Sequence, residues 1–271
     1  MTSLFDRLLN RLDLEQGDDD VWVGGAGGGG VTQDDRLFGG LVAAQATVAI
    51  QRSAPEFPLH SLHAYFLRPG RPDADIEFHV TRTKLGKNFQ VRSLDAWQHG
   101  QRIFQMQASL QRPEAGVHHQ DDMPTAPNPE SLPNRDQLRG RKNWQSMPID
   151  VRMVTSLDDD QPQAPEQLVW MRANGRLPDD PALHQALIVY ASDRTLLATA
   201  WRPHADQGPM RGASLDHSMW FHEVPKFDDW LLYSMQSPAA NAGRGLAIGA
   251  MYSPKGQRVL SVAQEGVTRA G

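Results

Sequence analysis

The sequence predicts an α+β protein made of two tandem units, each an antiparallel sheet wrapped around one long helix. Three observations carry that expectation. Each half holds one apolar helical stretch and several short runs with strand alternation. A segment rich in proline, histidine, aspartate and asparagine, almost without periodic apolar residues, parts the halves. A Gly-Gln-Arg turn precedes the last strand of each half, at Gly100–Arg102 and Gly256–Arg258, and the same offset superposes His60 on Asp216 and Tyr65 on Phe221. One such unit would expose sheet edges and an apolar flank, whereas two side by side can pair edges into a continuous sheet. The expected division is a first unit over residues 1–112, a linker over 113–149 and a second unit over 150–271.

In chain order, Leu4, Phe5, Leu8, Leu9 and Leu12 are spaced for one face of a short helix, and the opening residues do not read as a signal peptide. Gly25–Gly30 invites a phosphate-cradle reading, but no Gly-Lys-Ser/Thr follows and no strand clearly feeds it into a helix. Asp34 and Asp35 would also repel phosphate, so the segment reads as a turned loop. Phe38–Arg52 reads as the first long helix. Its opening glycines, Gly39 and Gly40, cost helix stability. Two explanations stand open: a thioester or phosphate approaches the helix N-terminus, or the helix packs closely on a strand. Strands are expected over His60–Leu67, Ile76–Thr83, Asn88–Ala96 and Gln101–Gln111. The linker is expected on the surface, with a short helix near Asp136–Lys142. In the rear half, strands are expected over Gln167–Asn174, Asp216–His222, Trp230–Gln236, Gly245–Tyr252 and Arg258–Thr268. The second long helix starts at Pro181, with Asp179 or Asp180 as its cap and Leu183, Ala186, Leu187 and Tyr190 on its buried face.

The formal net charge of -5 argues against a general nucleic-acid binder. Absence of cysteine excludes disulfides, thiolate catalysis and Cys-based zinc sites, and fits an intracellular, cytoplasmic protein. No apolar run reaches the roughly 18 residues of a membrane helix, so no membrane insertion is expected. Thr268–Gly271 is not a peroxisomal address. His60, His63, His118 and His119 lack partners at zinc spacing and read as polar strand or loop residues, so no metal is expected.

The densest chemistry lies in SLDHSMWFHE, Ser214–Glu223. Strand alternation puts Leu215, His217, Met219 and Phe221 on one face, and Ser214, Asp216, Ser218, Trp220 and His222 on the other. Asp216 and His217 therefore do not form a ready pair, and no Gly-x-Ser-x-Gly elbow exists. Asp193 falls at the end of the second long helix. It is either a surface residue paired with Arg194, or a carboxylate made harder to ionise by burial and by the helix C-terminus, hence a general base. Gln264 shares a face with Val262, Gly266 and Thr268; it is an exposed edge residue or a donor to water or an oxyanion.

Six segments in order resemble the acyl-CoA thioesterase II family: RLFGG (Arg36–Gly40), HSLHAYFLRPG (His60–Gly70), WMRANGRLPDD (Trp170–Asp180), YASD (Tyr190–Asp193), DHSMWFH (Asp216–His222) and VAQEGVTR (Val262–Arg269). The resemblance implies a double hotdog fold and hydrolysis of fatty acyl-CoA to free fatty acid and CoA by an activated water, with no cofactor. It implies catalytic roles for Asp193 as base and for Ser214 and Gln264 as holders of the water. Serine at position 214 departs from the family's usual threonine, losing a methyl but no hydrogen-bonding capacity. Oxyanion donors are expected from the start of the rear helix or the loop before it. Phe38, Gly39, Gly40, Tyr65, Phe66, Met219 and Trp220 are candidates to line the acyl site, and Arg244 to meet a CoA phosphate. Homo-oligomers are a further expectation of the resemblance. Three rivals remain: a catalytically weak acyl-CoA-binding or scaffold protein of the same fold, an acyl-thioester dehydratase, which would need a placed His or Glu, and an entirely structural assembly module.

Overall fold

The computed structural model describes residues 3–27, 36–157, 161–224 and 226–271. Gly28–Gly30, Asp34 and Asp35, on which part of the loop reading rests, lie outside the described residues.

The elements run α1 (Leu4–Leu12), β1 (Glu15–Gln16), β2 (Val21–Gly24), α2 (Gly39–Arg52), β3 (Leu59–Phe66), β4 (Ile76–Leu85), β5 (Phe89–Gln98), β6 (Gln101–Gln111), α3 (Arg135–Leu138), β7 (Ile149–Met153), β8 (Glu166–Ala173), α4 (Pro181–Ser192), β9 (Met210–Ser214), β10 (Asp216–Phe221), β11 (Leu231–Asn241), β12 (Arg244–Tyr252) and β13 (Arg258–Ala270). The strands form one thirteen-stranded antiparallel sheet in the order β1-β2-β4-β5-β6-β3-β10-β13-β12-β11-β8-β7, with β9 beside β13. It wraps α2 and α4, the double hotdog arrangement.

The seam of the sheet is β3 against β10, where Tyr65 faces Asp216, His63 faces Ser218 and Leu62 faces Met219. An approximate twofold axis therefore passes between Leu62–His63 and Ser218–Met219, which is why the offset of the Gly-Gln-Arg turns superposes these two strands. Both turn glycines need the left-handed region, with φ of +68° at Gly100 and +81° at Gly256.

The helices α2 and α4 are antiparallel. Gln51, late in α2, donates to Gln185, early in α4, at 2.9 Å. Asp180 caps α4 by accepting from Ala182 N–H, and Pro181 opens its first turn. The single buried face expected of α4 is too narrow. His184–Ser192 are all buried, as are Gly40–Gln51 in α2, because each helix is covered by the other and by the sheet.

Other corrections are local. A strand, β2, does precede the glycine loop. β7 and β9 were not expected, being short and, in β9, without alternation. The linker is only partly a surface segment. Asn134 and Asp136 are buried, and the segment is tied down by Trp170 Nε1 to Pro127 O at 2.9 Å and Trp230 Nε1 to Glu130 Oε1 at 3.1 Å. Among the described residues, no helix is long and apolar enough to cross a membrane.

Candidate active site

Three elements converge at the C-terminal end of α4. Asp193 is its C-cap residue, held in αR backbone, and extends from the helix toward the sheet. Ser214 ends β9, and Gln264 lies mid-way along β13 with its side chain inward and fully buried. Ser214 Oγ donates to Asp193 Oδ1 at 3.0 Å, and Gln264 Nε2 donates to the same oxygen at 2.6 Å and to Ser214 Oγ at 3.0 Å. The closed triangle fixes the amide orientation, since only the NH2 group of Gln264 can serve two acceptors.

The fourth contributor is the N-terminus of α2. The backbone N–H of Gly40 donates to Asp193. A Cβ on Gly39 would sit 3.1 Å from Asp193 Oδ2, and one on Gly40 would sit 2.6 Å from Tyr190 O. The two glycines thus allow one helix start to press against the other helix's end. Of the two explanations left open, packing accounts for Gly40, although the neighbour is α4 and not a strand. Burial raises the pKa of Asp193 from its ordinary value, and the bonds from Gln264, Ser214 and Gly40 only partly offset this. A carboxylate so placed retains basicity and is oriented by three donors.

The opposite orientation of the helices overturns the expectation for oxyanion donors. The first turn of α4 lies at the far end of the helix pair, around Asp180–Leu183. The helix start at the site belongs to α2; there Gly40 N–H goes to Asp193 and Leu41 N–H to Phe38 O at 3.0 Å, so the N–H of Gly39 is the one the helix itself does not engage. A cavity of about 470 Å³ opens beside the carboxylate, walled by Phe38, Val42, Phe66, Phe104 and Leu197, with Arg36, Arg68 and Arg194 among its lining residues.

Family models meet the chain in both halves: the acyl-CoA thioesterase model over residues 143–267 and the acyl-CoA thioesterase N-terminal domain model over residues 29–111. Rat acyl-coenzyme A thioesterase 8 is 37% identical, with 96% of this chain and 88% of the relative covered. Acyl-CoA thioesterase 2 of Haemophilus influenzae is 34% identical, with 99% of each covered. The chain belongs to the acyl-CoA thioesterase II family. A solved family structure, the acyl-CoA thioesterase II TesB2 of Mycobacterium marinum, superposes with a TM-score of 0.83 at 40% identity, covering 97% of this chain and 98% of that one.

Within this family member, the candidates drawn from the sequence divide. Phe38, Gly39 and Phe66 line the cavity together with Asp193 and Ser214. Tyr65 is 59% exposed on the outer face of β3, and Trp220 is likewise outside, edge-on to His63. Met219 faces inward but is fully buried in the core, its sulfur 3.8 Å from Ser192 Oγ. Arg244 is exposed and ion-paired with Glu265 at 3.0 Å, away from the cavity. The cations at the cavity are Arg36 and Arg68, both inside segments that carried the family resemblance, and Arg194. Nor is Asp193 paired with its neighbour: Arg194 turns to the buried Asp136 of the linker, Nη2 to Oδ2 at 3.1 Å.

The alternation read for Ser214–Phe221 fails at one point. Ser214 faces Gly266 across the ladder to β13, but Ser218 faces Ala263, so four steps on one strand match three on the other. The extra residue is a β-bulge at Leu215–Asp216, and it brings Ser214 to the same inner side as His217, Met219 and Phe221. His217 is buried, and its Nε2 is 2.9 Å from Ser192 Oγ on α4. Burial lowers its pKa to about 4, so it is a neutral strut behind the end of α4 at neutral pH.

Proposed function

We propose that this chain hydrolyses fatty acyl-CoA to free fatty acid and CoA by direct attack of water. The observation that carries the reading is the convergence of Asp193, Ser214 and Gln264 on one carboxylate oxygen beside a largely apolar cavity. Water held by Ser214 and Gln264 attacks the thioester carbonyl while Asp193 takes its proton. The tetrahedral oxyanion meets the N–H of Gly39 at the start of α2. The C–S bond then breaks, and the proton on Asp193 passes to the leaving thiolate. The alkyl chain occupies the cavity between Phe38, Phe66 and Leu197, and Arg36 and Arg68 meet CoA phosphate at its mouth. Among the described residues lining this cavity none is a histidine or glutamate, which supports hydrolysis over dehydration.

The same reading places the enzyme in the cytoplasm, in fatty acid metabolism, with self-association of the chain and with units over 1–112 and 150–271 joined by the 113–149 linker. The test is a panel of acyl-CoAs of increasing length, read by titration of released CoA thiol; the chain holds no cysteine to add background. Turnover that Asp193→Asn lowers about 1,000-fold is expected. Full turnover by that variant, or tight binding without thiol release, would overturn the reading.

A further inference from the structure

The bulge leaves Asp216 with a distinct task. In an unbroken ladder Glu265 would exchange both backbone hydrogen bonds with the residue opposite. Here Leu215 N–H still donates to Glu265 O at 2.9 Å. The Leu215 carbonyl, however, has turned to the other neighbour and accepts from Phe66 N–H at 2.9 Å. Glu265 N–H has thereby lost its backbone acceptor, and the Asp216 carboxylate takes its place, Oδ1 accepting at 2.6 Å. The side chain satisfies the one ladder donor that the extra residue orphans. A side-chain period of two means that loss of the bulge by a one-residue slip would carry Ser214 to the outer face, away from Asp193. The turned Leu215 carbonyl also ties the bulge to Phe66, a wall of the cavity.

We infer that Asp216 is a positioning residue: by accepting from Glu265 N–H it pins the bulge that aims Ser214 Oγ at Asp193. It acts through Ser214 and touches no reacting atom. The inference rests on the catalytic reading for its effect on turnover, but not for its effect on structure, so two kinds of measurement separate the two.

Asp216→Leu, which keeps the branching of the side chain and removes the acceptor, should lower kcat about 100-fold, the scale on which misplacing a group by an ångström acts, and change KM little. Asp216→Asn keeps an Oδ1 acceptor and should recover most of that loss. In the Ser214→Ala background, Asp216→Leu should add almost nothing, because its target is gone. Independently of turnover, the Glu265 amide should exchange with solvent deuterium much faster in Asp216→Leu and near normally in Asp216→Asn. Losses that multiply in the double variant, or an unchanged Glu265 amide in Asp216→Leu, would overturn the inference. Full activity of Asp193→Asn would instead overturn the catalytic reading while the exchange result still decided the role of Asp216. If Asp216→Leu fails to fold, the test moves to Asp216→Asn and Asp216→Ser. Serine is too short to reach Glu265, so equal turnover and equal Glu265 exchange in the two would overturn the inference as well.

Discussion

The two ends of the helix pair carry the same frame and opposite chemistry. α2 ends on Ser53 in the same backbone conformation in which α4 ends on Asp193, φ/ψ of -73°/-11° against -75°/-9°. Under the sheet beside Asp193, Gln264 stands across from Ala247; beside Ser53 the long and short residues trade strands, and Arg92 stands across from Ala108. Arg92 is buried and donates from Nε to Ser53 Oγ at 3.0 Å. One end therefore joins an amide to a carboxylate, the other a guanidinium to a hydroxyl. A cation there complements the helix C-terminus but can accept no proton. A cavity of about 590 Å³ lies at the α2 end as well, lined by residues such as Leu12, Val48, Phe57 and Leu183. An apolar cavity at a helix end is thus a property of the fold, and the chemistry beside it is a property of three side chains.

The sharpest break of this comparison is Asp193→Asn. It should cost about 1,000-fold in kcat, within the range of general-base loss, with the melting transition retained in circular dichroism. Gln264→Ala opens the triangle and should cost about 100-fold in kcat. Its counterpart Ala108→Gln should create no second activity, since Ser53 supplies no base; rates of the two variants on one substrate check both. Arg92→Ala should do the reverse of Asp193→Asn. It should lose about 1–3 kcal/mol of stability in urea unfolding and leave kcat within about twofold.

Two effects of pH follow, each with its own sign. In the proposed role as base Asp193 acts ionised, and burial raises its pKa, so the acid limb of kcat/KM should fall above the 3.8 of an ordinary aspartate. A pH–rate profile checks this. His217 has a folded pKa lowered from 6.5 to about 4, so its neutral burial stabilises fully above 6.5 and is lost as pH falls toward 4. That loss amounts to about 3 kcal/mol at one kcal-scale step per pKa unit, and His217→Gln should flatten this part of a stability–pH curve.

The fold was legible because its signals are periodic. Apolar helices, alternating strands and a repeated glycine turn survive in sequence, and the turn offset even aligned the two seam strands. Asp193 was legible as a helix-end carboxylate, but its burial was not, since Arg194 beside it offered an easy partner. That partner was taken by Asp136, from a linker whose composition reads as solvated. The face of Ser214 was misread because a bulge changes parity without leaving a mark in composition. Tyr65 and Trp220 lie in segments shared with the family and Arg244 opens β12, yet these strand positions point away from the cavity. Arg36 and Arg68 sit in segments shared with the family, but nothing in a lone arginine shows which cavity it borders.

The antiparallel contact of α2 with α4 has a consequence for how the site comes into being. Its carboxylate and its helix N-terminus come from regions far apart along one chain, so they meet by folding and not by encounter between molecules. Their effective concentration is set by the covalent connection, and no dilution can separate them. Whatever association the chain undergoes with its own kind, activity per molecule should be flat across protein concentration. Each end of the helix pair is also encoded separately, so one can hold a base while the other is free to change.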